Sequence, residues 1–119
     1  MSRESQRNRD HAAPKVPEEL LRSVVAYFNP RRVILFGSAA RGEAGAESDL
    51  DLLVVLDDDV PAELLHWQSM YEARRGYTGA VDLIPCREST FRDRVDIVGS
   101  LPWIAQTEGV VVYERAEAA

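Results

Sequence analysis

The chain has 119 residues, 45% of them hydrophobic, a single cysteine and a formal net charge of −6 at pH 7. That is the length of one domain with enough apolar content for a core. It excludes an internal disulfide or cysteine zinc cluster, and an acidic body is a poor grip for a nucleic-acid backbone. No apolar run approaches the ~18 residues of a membrane span and no signal-peptide core opens the chain, so a cytoplasmic protein is expected.

Residues 1–16 are polar and charged and read as a disordered tail. Arg3, Arg7, Arg9 and Lys15 against Glu4 and Asp10 give this segment +2, so the remaining chain carries −8. Such a surface suits docking on a basic protein. Pro17-Glu18-Glu19 opens a helix, with proline in the first turn and acids at the positive end of the dipole. Leu20, Leu21, Val24, Val25 and Phe28 follow at helical spacing until Asn29-Pro30. Val33-Ile34-Leu35-Phe36 is an apolar run of the kind found in buried strands. A short helix is expected from Ser38 to about Arg41-Gly42, then a loop to Ser48. Residues 49–56 form a second strand, left through Asp57-Asp58-Asp59, expected as a solvated turn and helix cap. Pro61 to Arg75 reads as one helix with Leu64, Trp67, Met70 and Tyr71 on its buried face, and His66 as a surface residue. A third strand is expected over 80–84, closed by Pro85. Residues 88–100 read as a helix capped by Ser89 or Thr90, with Phe91, Val95 and Val98 on one stripe. Trp103 is expected to pack. Gly109 introduces a last strand, Val110 to Tyr113, and 115–119 reads as frayed. The domain is thus 17–114, and the alternation predicts a sheet covered by helices on at least one face.

Chemistry concentrates in Gly37-Ser38, ten residues, then Asp49-Leu50-Asp51. Gly-Ser at the exit of a buried strand and the mouth of a helix offers free amides and a hydroxyl to phosphate. Alternate strand residues share a face, so Asp49 and Asp51 point together, roughly 6–7 Å apart, while Leu50, Leu52, Val54 and Leu56 point into the core. Two such carboxylates suit Mg²⁺, which accepts substrate phosphate oxygens as further ligands, and a pair of ions can sit at such a site. Asp82 lies between Val81 and Leu83, where an unpaired acid is costly. If its strand pairs beside the second, it joins the same metal and can accept the proton of an attacking hydroxyl. Arg41, one turn past Gly37, either offsets phosphate charge or pairs with a nearby acid. Ser48 is placed to hydrogen-bond the loop that presents the acids. The sum points to metal-dependent nucleotidyl transfer from a nucleoside triphosphate.

Gly37-Ser38-Ala39-Ala40-Arg41-Gly42, Ser48-Asp49-Leu50-Asp51-Leu52 and Val81-Asp82-Leu83-Ile84 together resemble the minimal nucleotidyltransferases (MNT) of the DNA polymerase β-like superfamily, over about residues 18–113. The resemblance implies an α/β (α+β) fold with a small mixed sheet and flanking helices. It implies Gly37 and Ser38 on the triphosphate, Asp49 and Asp51 on Mg²⁺, and Asp82 as third carboxylate and base. Stand-alone proteins of this kind resemble the antitoxins of HEPN–MNT toxin–antitoxin pairs. By that resemblance the chain transfers AMP from ATP to a tyrosine of a HEPN ribonuclease toxin, blocking it by charge and bulk. Two alternatives remain: transfer to a small-molecule hydroxyl of the aminoglycoside type, and a non-catalytic antitoxin that neutralises by binding. The first usually needs an added helical domain, which is not expected in the short stretch past Tyr113.

Overall fold

The computed structural model describes residues 16–41 and 49–116. Most of the expected N-terminal tail, Ser48 and residues 117–119 lie outside the described residues. Four strands form one sheet: β1 (Arg32–Phe36), β2 (Leu50–Leu56), β3 (Val81–Arg87) and β4 (Val110–Glu114), in the order β3-β2-β1-β4. β1 runs antiparallel to β2 and to β4, while β2 and β3 are parallel, so the sheet is mixed.

Helices cover both faces. On one, α1 (Glu18–Phe28) lays Leu20, Val24 and Phe28 over Val33 and Leu35 of β1, Leu52, Val54 and Leu56 of β2, and Leu83 of β3. On the other, Ile34, Phe36, Leu53 and Val55 pack against Phe91 of α3 (Glu88–Arg94) and Ala105 of α4 (Leu101–Glu108). β2 is therefore apolar at consecutive positions because both its faces are buried from Leu52 to Leu56. Asp51 shares the α3/α4 side with Leu53 and Val55 by strand alternation. Among the described residues no helix is long and apolar enough to cross a membrane.

The helix expected over 61–75 is broken. A 3₁₀ turn covers Ala62–Leu65, His66 is extended, and α2 runs only from Trp67 to Ala73. Ser69 fastens the break, its hydroxyl donating to Glu63 O (2.9 Å) and accepting from Tyr27 (3.2 Å). The restart turns Ser69 and Ala73 inward, where their small side chains let α1 approach and Ser23 Oγ reach Ala73 O at 2.6 Å. Trp67 and Tyr71, expected in the core, are 69% and 63% exposed, whereas Leu64 and Met70 do pack against it.

Three further expectations change. β3 does not close at Pro85 but continues to Arg87, because an edge strand tolerates a residue without an N–H. The helix expected over 88–100 stops at Arg94, leaving Val98 77% exposed. Ser100 Oγ donates to Arg94 O (2.7 Å) and accepts from Trp103 N (3.2 Å), so it both ends α3 and caps α4, a helix the periodicity did not reveal. Ser89 and Thr90 lie inside α3; the Ser89 amide instead donates to Asp58 Oδ1 across the chain, at 2.8 Å.

Candidate active site

The end of β1 and the start of β2 and β3 lie side by side. Phe36 pairs with Asp51, and Asp51 pairs with Asp82. Adjacent paired residues project to the same face of a sheet, so this register brings Asp51 and Asp82 together. Asp49 precedes β2 and is exposed, as is Asp82, while Asp51 is half-buried. The Leu50 amide donates to Ala80 O (3.1 Å), fastening the two strand starts beside the acids.

Gly37 follows β1 directly with φ +81°, in the left-handed region that glycine adopts without strain. A Cβ there would lie 2.5 Å from Asp51 Oδ2. The glycine is thus required twice, by its backbone and by the carboxylate against it. Residues 38–41 form one turn rather than an assigned helix, with the Ala40 and Arg41 amides donating to Gly37 O at 3.1 and 3.2 Å. The Ser38 and Ala39 amides have no acceptor within that turn, which is the arrangement that binds anions.

Asp51 has its pKa raised, first by burial, then by the negative charges of Asp82 and Asp49, and by a hydrogen bond shared with the Asp82 carboxyl. Every one of these influences acts in the same direction. A divalent cation offsets such crowding, and the all-oxygen donor set is the one Mg²⁺ takes. Among the described residues no three Asp, Glu, His or Cys side chains close into a ready-made metal cage. Mg²⁺ does not need one, since it is usually held by one or two carboxylates together with substrate phosphates.

Arg41 lies at the edge of this site and pairs with Glu108 Oε1 at 3.3 Å, at the end of α4. Glu108 belongs to none of the motifs of the sequence. No sequence signal marks it, because the helix whose last turn it occupies is not revealed by periodicity. Ser48 lies outside the described residues.

Residues 17–104 match the nucleotidyltransferase domain family. The chain belongs to that family. This nucleotidyltransferase is similar to a solved Sulfolobus solfataricus protein assigned as a nucleotidyltransferase, with 28% identity and a TM-score of 0.52 over 82% of this chain and 76% of that one. It also shares its fold with a toxin–antitoxin solved with AMP-PNP, at 20% identity and a TM-score of 0.51, covering 84% of this chain and 75% of that one. No curated protein matches.

Proposed function

We propose that this nucleotidyltransferase is an MNT-type protein adenylyltransferase that moves AMP from ATP to a tyrosine hydroxyl of a HEPN-type ribonuclease toxin in the cytoplasm, and so acts as an antitoxin. The observation that carries transfer chemistry is the strand register, which sets the glycine turn against Asp51 and Asp51 against Asp82. The toxin reading is supported by the resemblance of the motifs and by the fold shared with a toxin–antitoxin solved with AMP-PNP. The acidic surface suits a basic, RNA-binding partner.

In this reading the Ser38 and Ala39 amides and the Ser38 hydroxyl hold the triphosphate, with Arg41 and Ser48 at its border. Asp49, Asp51 and Asp82 hold the divalent ions, which supply charge compensation for the phosphates and for departing pyrophosphate. Asp82, the exposed member of the register pair, accepts the proton of the acceptor hydroxyl as its oxygen bonds to the α-phosphorus and the bond to pyrophosphate breaks. The fixed turn and strands hold these groups in place before substrate arrives, which is where most of the rate enhancement originates.

The test is the intact mass of a co-expressed HEPN partner, with the parent chain and with Asp49→Asn/Asp51→Asn. Addition of one or more AMP units with the parent alone supports the proposal. No addition, with neutralisation retained by the double variant, replaces it with a binding antitoxin. No addition and no neutralisation returns the acceptor to a small molecule.

A further inference from the structure

We propose that Glu108 is a positioning residue for nucleotide binding, its carboxylate orienting the Arg41 guanidinium beside the Gly37-Ser38 turn so that Arg41 meets the triphosphate. The inference rests on the nucleotide-binding role proposed above for that turn and for Arg41.

The two residues are 67 positions apart and meet through the sheet. Val110 opens β4 opposite Leu35 of β1, so the end of α4 and the turn after Phe36 arrive at the same edge of the site. Gly109 fixes that arrival. A Cβ on it would strike Ala105 O and lie 2.7 Å from Ile34 Cγ2 and 3.0 Å from Leu35 O, so α4 ends in direct contact with β1. On the other side, the Arg41 amide is bonded to Gly37 O, which ties the arginine backbone to the glycine. Glu108 and Arg41 are therefore presented to each other by two anchored segments.

Local electrostatics do not explain the acid. It stands in the last turn of α4, against the helix dipole, and no basic residue shares that turn. Nor does stability, since both side chains are over 40% exposed and an ion pair so placed adds little. What the pair can do is restrain a long, flexible arginine. Guanidinium has five donors in a planar fork, enough to keep Glu108 and to bond phosphate as well. Binding then immobilises less side chain than it would with an arginine lacking that contact. The same carboxylate would repel a triphosphate if Arg41 were absent, which gives the inference a change of sign to detect.

The experiment is calorimetric titration of the full chain with a non-hydrolysable ATP analogue in MgCl₂, for Arg41→Ala, Glu108→Ala, Glu108→Gln and the Arg41→Ala/Glu108→Ala double variant. Affinity is expected to fall about 3–10-fold for Glu108→Ala and to recover in part for Glu108→Gln, which keeps an acceptor oxygen. In the Arg41→Ala background, removing Glu108 should leave affinity unchanged or improve it. All variants should melt within about 3 °C of the parent. Unchanged affinity for Glu108→Ala, or an equal loss in both backgrounds, overturns the positioning role and leaves the nucleotide site standing. Parent-like affinity for Arg41→Ala, or no binding by the parent, overturns the reading of Arg41 and the inference with it.

Discussion

At one end of the sheet, Asp49, Asp51 and Asp82 stand together, and every influence acting on Asp51 favours its protonated form. At the other end, where β1 begins and β2 and β3 finish, acids and bases are matched. Asp57 Oδ1 accepts from Arg31 (3.0 Å) and Arg115 (2.9 Å). Glu88 accepts from Arg32 (2.9 Å) and Arg92 (3.1 Å), and the Arg32 guanidinium lies 5.1 Å from the centre of the Phe91 ring. Arg115 also donates to Asn29 O at 3.1 Å, so a residue expected in a frayed tail helps close this end. The sheet between them is the same continuous core. Among the described residues, Asp57 and Glu88 hold arginines, whereas the influences on Asp51 all oppose its charge, the pattern expected of acids that would receive a cation and a polyanion.

The strongest way to break this comparison is Asp51→Asn. Transfer activity should fall at least about a hundredfold, read as label moved from α-labelled ATP. The melting temperature at pH 7 should rise. The sign follows from the raised pKa: the folded state binds the proton more tightly than the unfolded chain, whose value is near 3.8, so ionisation above that range costs stability. The rise should vanish as the pH falls below the ordinary carboxylate range. A variant that melts lower at pH 7 would show that the acids do stabilise the fold.

Gly37→Ala tests how tightly the turn and the acid are coupled. The left-handed backbone and the contact with Asp51 Oδ2 together predict a loss of about 1–3 kcal/mol in denaturant titration. Activity should fall further than stability explains, because Asp51 must move.

At the matched end, Asp57→Asn should cost about 1–2 kcal/mol while leaving activity per folded molecule unchanged. Its pKa is lowered, first by the hydrogen bond from Arg115 and then, against the opposing effect of burial, by Arg31. The folded state therefore favours the carboxylate, and the stability Asp57 contributes above pH ~4 is lost as the pH falls through its depressed value. Melting temperatures of the Asp51 and Asp57 variants, relative to the parent, should thus converge on it from opposite sides as acid is added. The smallest effect is expected away from both ends. Trp67→Gln should change stability by no more than about 0.5 kcal/mol, since the side chain is mostly in solvent. A loss of 2 kcal/mol or more would put Trp67 back in the core.

Much of the candidate site was legible because its signals are local. Gly37-Ser38 at a strand exit is a weak signal alone, and its spacing to alternate aspartates on a strand is what suggests phosphate and metal. α1, β1, β2 and β4 were legible as well, from apolar periodicity bounded by proline, asparagine or glycine. The misread segments are those where periodicity fits a continuous helix but a side chain interrupts it. Ser69 holds the break after His66, and Ser100 does the same between α3 and α4. Both serines act through a carbonyl several residues away, which a stripe of apolar residues does not encode.

By itself, then, the sequence determined which residues are candidates for the chemistry and that helices and strands alternate, because residue type and nearest-neighbour spacing decide both. Only the tertiary structure decided that β3 lies parallel to β2 with Asp82 opposite Asp51, that Glu108 meets Arg41, and that Arg31, Arg32, Arg92 and Arg115 gather on Asp57 and Glu88. Those partners are separated by tens of residues in most cases, and strand order and register are set by how two apolar faces bury at once rather than by any segment alone.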